Sequence, residues 1–159
     1  MDKCGMNWNM ETIKKYLKKE NIALNLEGET REDVYMELLS LLSKRNEIRN
    51  KEKILKSLIA QDERVDAHRG KGVVIARISH QHQKRIALCL GLKRNGLDEE
   101  VFDRERSKIF VLIITPESGN EECISLISEI SSLLNQGSVR EDILETGKSE
   151  KVFKILVGQ

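Results

Sequence analysis

The stretch "KIFVLIITPE" at 108–117 constrains this chain most. Successive side chains of a strand point to opposite faces, so a run apolar at nearly every position reads as a central strand buried on both sides. Its apolar part, "IFVLIIT" at 109–115, is far too short to cross a bilayer, which takes about 20 residues as a helix. Pro116 cannot donate to a ladder and closes the strand. Two more short runs of this kind precede it, "GVVIARI" and "RIALCLGL", bounded by glycine and charge clusters.

Helical periodicity surrounds them. "METIKKYLKKE" places Ile13, Tyr16 and Leu17 on one face, and "IALNL" then alternates at period two as a strand closed by Glu27-Gly28. "TREDVYMELLSLLSKR" has a capping hydroxyl at Thr30 and an acidic first turn, with Val34, Leu38, Leu41 and Leu42 at helical spacing. "NKEKILKSLIAQDE" repeats the pattern through Ile54, Leu55, Leu58 and Ile59. "NEECISLISEISSLLN" returns to helix, with Ile124, Ile127, Ile130 and Leu134 expected inward and Gly137 ending it. Two short helices separated by Gly147 close the chain. The expected order is α-β-α-α-β-β-β-α-α-α, with an antiparallel hairpin among the middle strands and hence a mixed sheet.

At 159 residues the chain suits one domain with a single core. We divide it into a tail over 1–9 and a domain over 10–157. Aromatics make up 4%, which argues against a base-stacking surface, and 27 basic against 26 acidic side chains exert no global pull on nucleic acid or membrane. Cys4, Cys89 and Cys123 form an odd, unpaired set that suits a reducing compartment. The opening "MDKCGMNWNM" lacks an apolar signal core, so a soluble, cytoplasmic protein without membrane insertion is expected.

Three of these segments resemble the type-2 enzyme IIA domains of the sugar phosphotransferase system, the fructose/mannitol class that includes the nitrogen-regulatory branch. They are "ENIALNLEGETREDVYMELLSLL", "KEKILKSLIAQDE" and "IFVLIITPESGNEECISLISEISSLL". The last, with its Pro-Glu turn, is the most specific. The resemblance covers about Met10 to Val157. It implies a single α/β domain with a mixed sheet of roughly five strands and helices on both faces.

The active loop of that family has the form Arg-Glu-Glu-x-x-Ser-Thr-Gly-x-Gly-x-Gly-Ile-Ala-Ile-Pro-His-Ala-Arg. Without a gap, Asp62 and Glu63 take the acidic pair and Asp66 and Ala67 the Ser-Thr pair. His68, Gly70 and Gly72 take the glycines, Val73-Val74-Ile75 the strand, and Ala76 the proline. Arg77 takes the phosphoryl-accepting histidine, and the family's second histidine falls on Cys123. The reaction needs a nitrogen that is nucleophilic near neutral pH and leaves readily again. A guanidinium, with a pKa above ~12, offers no lone pair. A thiol does not hold an anionic phosphoryl group by a charged hydrogen bond, and the two hydroxyls are gone as well.

The resemblance therefore implies a domain that no longer carries phosphate and serves as a regulatory or binding module. A common setting for such domains is beside a membrane transporter, such as a cation/proton antiporter. A second expectation stays open: a phosphocarrier that accepts phosphate from the histidine-containing phosphocarrier protein on His80 or His82 in the loop "SHQHQK", which makes enzyme activity an open question. Against it stands the plainer reading of solvated loop imidazoles. His-x-His without a third ligand gives no metal site, and no cofactor is expected. Cys123 lies near a helix start beside Glu121 and Glu122, and reads as a partly buried cysteine rather than a reactive one; Cys89 reads as core. "HRGKG", with His68, Arg69, Gly70, Lys71 and Gly72, together with Arg77, Lys84 and Arg85, is either an anion site for a small molecule or acidic partner, or a scattered basic surface. It lacks the spacing of a nucleotide-triphosphate loop.

Overall fold

The computed structural model describes residues 11–64, 71–98, 106–118 and 121–158. The elements run α1 (Glu11–Tyr16), a 3₁₀ turn (Lys19–Asn21), β1 (Ile22–Ala23), α2 (Arg31–Lys44), α3 (Lys51–Arg64), β2 (Val73–Ser79), β3 (Ala87–Leu97), β4 (Ser107–Thr115), α4 (Glu121–Leu134), α5 (Gly137–Glu145) and α6 (Ser149–Val157). The strands form one sheet in the order β1-β3-β4-β2. β2 runs parallel to β4, with Arg77 opposite Ile113, while β3 runs antiparallel to β4. The sheet is mixed, and β4 lies inside it as its unbroken apolar run requires.

Alternation along the strands divides the interior into two layers. Ile109, Val111 and Ile113 of β4 join Val73, Ile75, Leu88 and Leu90 under α1, α4, α5 and α6. Phe110, Leu112 and Ile114 join Val74, Ala76 and Cys89 under α2 and α3. A sheet covered on both faces buries successive side chains in alternate layers, so its Leu, Ile and Val residues build both cores with few aromatics. Thr30 caps α2 as its hydroxyl predicts, with Oγ1 accepting from the Asp33 amide at 3.1 Å.

Three expectations are corrected. The described residues form four strands rather than about five. After Leu92 the chain stays extended through an irregular stretch and pairs Leu97 with Ser107, lengthening β3 instead of starting another strand. Gly96 permits this at φ +77°, where a Cβ would stand 2.3 Å from the Arg106 Cβ. Second, "IALNL" is a ladder only at Ile22–Ala23. The Leu24 carbonyl is taken by the Arg94 side chain at 2.7 Å, and backbone pairing returns at Leu26, whose N–H donates to the Leu92 carbonyl at 2.9 Å.

Third, the inward face of α4 starts at Cys123 rather than Ile124. Ile130 and Leu134 are buried as expected and Ile127 is partly buried, but Cys123, Leu126 and Leu133 join them while Ile124 is 64% exposed. Two apolar stripes overlap in this helix, and the one beginning at Cys123 faces the sheet.

Candidate functional site

Arg77 lies near the carboxyl end of β2, and strand alternation puts it on the same face as Val73 and Ile75. That face meets the first turn of α4, where Cys123 is fully buried. The two positions that the resemblance gives to the family's two histidines, forty-six residues apart in sequence, are thus neighbours. Burial pushes the Cys123 thiol up, and the adjoining Arg77 guanidinium offsets part of that rise by its charge and by hydrogen bonding. The thiol is therefore protonated near neutral pH and inert, in keeping with the non-reactive reading. It is, however, wholly rather than partly buried.

Glu122 does not act on this thiol. Its carboxylate turns to α1, accepting from Lys15 Nζ and Tyr16 Oη, each at 2.6 Å. Among the described residues Arg77 has no carboxylate partner. Its backbone carbonyl accepts from Gln61 Nε2 at 2.9 Å, a contact that sequence reasoning missed. In the gapless register of the active loop, Gln61 falls on the arginine that opens the family's Arg-Glu-Glu motif, the one signal that could have found it. Next to it, Asp62 Oδ2 accepts from Tyr35 Oη at 2.7 Å and from Arg31 at 3.1 Å, fastening α3 to α2. Burial pushes the Tyr35 hydroxyl well above its usual range, so it remains a donor.

The structure divides the basic residues that the sequence grouped together. Lys71 and Gly72 form a turn before β2, at the opposite end from Arg77; the four extended steps from Val73 to Arg77 alone span about 13 Å. Lys71 Nζ donates to Asn135 Oδ1 at 2.7 Å, beyond the carboxyl end of α4, whereas Cys123 sits at its amino end. Arg85 lies before β3, in a cleft bounded by α1 and residues 45–50. His68, Arg69 and Gly70, like Asp66 and Ala67, lie outside the described residues.

His80 follows β2 directly. Its N–H donates to the Thr115 carbonyl at 3.0 Å and its carbonyl accepts from Gln83, making a turn. The residue is 8% exposed, and its Nε2 is buried with no hydrogen-bond partner among the described residues. Burial lowers its pKa first; the nearby His82 and Lys53 lower it further, and Glu117 opposes them. His82 is exposed, and the two rings meet edge to face at 5.7 Å. A solvated-loop reading therefore suits His82 and not His80. The described residues hold no cluster of three or more metal-ligating side chains, and no helix among them is long and apolar enough to cross a membrane.

Residues 15–158 match the family described as "Phosphoenolpyruvate-dependent sugar phosphotransferase system, EIIA 2". The fructose-specific EIIABC component of Bacillus subtilis is 22% identical over 144 residues, covering 91% of this chain and 23% of that component's length. The nitrogen regulatory protein IIA-Ntr of Neisseria meningitidis shares the fold with a TM-score of 0.82 at 22% identity, over 91% of this chain and 98% of that one. Escherichia coli enzyme IIAMTL, solved in complex with phosphorylated enzyme IIBMTL, gives a TM-score of 0.72 at 16% identity, over 90% of this chain and 98% of that one. The match over residues 15–158 places this chain in the EIIA type-2 family of the phosphoenolpyruvate-dependent sugar phosphotransferase system, and its fold agrees.

Proposed function

We propose that this domain does not accept a phosphoryl group and acts as a regulatory or binding module, joined to or meeting a membrane transporter or another phosphotransferase component. One observation carries the reading: the guanidinium of Arg77 adjoins Cys123, as expected if these two residues hold the family's two histidine positions. The chemistry follows from the side chains. A guanidinium that stays charged grips an oxyanion but forms no labile bond to phosphorus. A neutral, buried thiol offers that oxyanion little. Gln61, at the motif's arginine, is uncharged, so the site has lost a charge there as well as its imidazoles.

The transporter setting draws on the EIIABC relative, in which a stretch like this chain is one part of a larger component. The complex of enzyme IIAMTL with phosphorylated enzyme IIBMTL supplies the precedent for a phosphotransferase partner.

A second reading has an observation in its favour. His80 is held neutral, the state in which an imidazole is nucleophilic, so it or its neighbour His82 would be the acceptor of an active phosphocarrier. Its free nitrogen is buried, and the charged groups acting on it are His82, Lys53 and Glu117 rather than Arg77. We therefore prefer the first reading. Incubation with phosphoenolpyruvate and the general phosphotransferase proteins separates the two: the first expects no acid-labile gain of about 80 Da, the mass of a phosphoryl group on imidazole.

A further inference from the structure

A cleft of about 780 Å³ opens between α1, the 45–50 connection and the 81–86 loop. Six basic side chains line it, Lys15, Lys18, Arg45, Arg49, Lys84 and Arg85, against one lining carboxylate, Glu47. In a chain whose net charge is only +1, this is a marked local imbalance. Three of the cations are already engaged: Lys15 with Glu122 at 2.6 Å, and Lys18 and Arg45 with Glu47, each at 3.5 Å. Arg49, Lys84 and Arg85 are exposed and make no ion pair among the described residues. A concave surface lined by one sign of charge focuses the field and concentrates counter-ions.

The walls are fixed in relation to each other. Gln83 is 9% exposed, and its Nε2 donates to the Glu47 carbonyl at 2.8 Å and the Arg85 carbonyl at 2.7 Å. This amide ties the loop that carries Lys84 and Arg85 to the one that carries Arg49. The 45–50 connection is shaped by Asn46 and Asn50 in left-handed conformation, at φ 58° and 60°. Three cations without an ion pair among the described residues therefore project from two loops whose backbones are already pinned, which lowers the ordering cost of binding.

From this geometry we infer that the cleft binds a small molecule bearing two or more linked phosphate groups. The volume falls within the roughly 300–1,000 Å³ of small-molecule sites. Arginine matches phosphate oxygens in bidentate fashion, and cations on two separate loops favour a ligand whose negative charge is divided between two centres.

The test is a titration of the full chain with inorganic pyrophosphate, and separately with orthophosphate, followed by calorimetry and backbone amide shifts. Saturable pyrophosphate binding is expected, tighter than orthophosphate by about tenfold or more. Shifts should concentrate at 45–50 and 81–86. The double substitution Arg49→Gln/Arg85→Gln, at exposed positions, should weaken binding by about tenfold or more without changing the unfolding midpoint, while Arg77→Gln should leave it within about twofold. The proposal is overturned if pyrophosphate fails to saturate by roughly 10 mM, if the double substitution leaves affinity unchanged, or if a polyglutamate peptide binds more tightly than pyrophosphate, which would make the cleft a dock for an acidic protein. None of these outcomes depends on whether the domain accepts a phosphoryl group.

Discussion

The guanidinium of Arg77, near the end of β2, adjoins the buried thiol of Cys123 in the first turn of α4 and holds down part of the rise that burial imposes on it. The pairing has a direct consequence for the thiol. Arg77→Met removes the charge that favours thiolate, so the Cys123 pKa should climb further. Ultraviolet absorbance of the thiolate against pH would read this. In the native protein, Cys123 should react with iodoacetamide far more slowly than in denaturant; equal rates would contradict its burial.

Arg94 makes a second test. Its guanidinium donates to the carbonyls of Leu24 at 2.7 Å, Leu144 at 2.8 Å and Thr146 at 2.7 Å, and to Asn25 Oδ1 at 2.9 Å. One side chain thus joins the stretch after β1 to the α5–α6 connection. Arg94→Met keeps much of the stem but strips the donors, and should cost about 2–3 kcal/mol in urea unfolding, because charged hydrogen bonds are lost and carbonyls are left unpaired. A change under ~0.5 kcal/mol, the size of an ordinary surface substitution, would show the clamp to be idle.

His80 sets a pH dependence. Its folded pKa lies below the ordinary 6.5. Between those two values the unfolded chain binds more protons than the native one, so stability falls as pH drops below about 6.5 towards the folded value. His80→Asn should flatten that part of the profile relative to wild type. Unfolding midpoints measured from about pH 8 down to pH 5 test this, and parallel profiles for the two proteins would refute it.

The inward face of α4 predicts opposite responses from two apolar positions separated by a single residue. Ile124→Glu, at an exposed site, should shift stability by no more than about 0.5 kcal/mol. Leu126→Ala, at a fully buried site, should cost about 2–5 kcal/mol. A large loss at Ile124 would restore the inward face that periodicity alone suggests.

That contrast shows where the sequence is legible. Local chemistry speaks plainly: the Thr30 hydroxyl announces α2, the unbroken apolar run at 109–115 announces an interior strand, and Gly147 separates the last two helices. Longer-range competition does not show itself. Nothing in "IALNL" reveals that Arg94, seventy residues later, takes the Leu24 carbonyl and ends the ladder. Nor does "HRGKGVVIAR" reveal that an extended strand carries Lys71 and Arg77 to opposite ends of the sheet. The pairing of Arg77 with Cys123 was reachable through the family's motif and not through periodicity, which carries no information about which loop meets which helix. His80 looked solvated because loops usually are, yet the turn closed by Gln83 folds its ring inward.

The central claim is that an arginine stands where a transferable imidazole would be needed. Its most direct test is the intact mass of the wild-type chain after incubation with phosphoenolpyruvate, enzyme I and the histidine-containing phosphocarrier protein, beside a parallel His80→Ala sample. The account predicts no acid-labile species about 80 Da heavier in either. A stoichiometric adduct in the wild type that disappears in His80→Ala would contradict it and make this domain a working phosphocarrier.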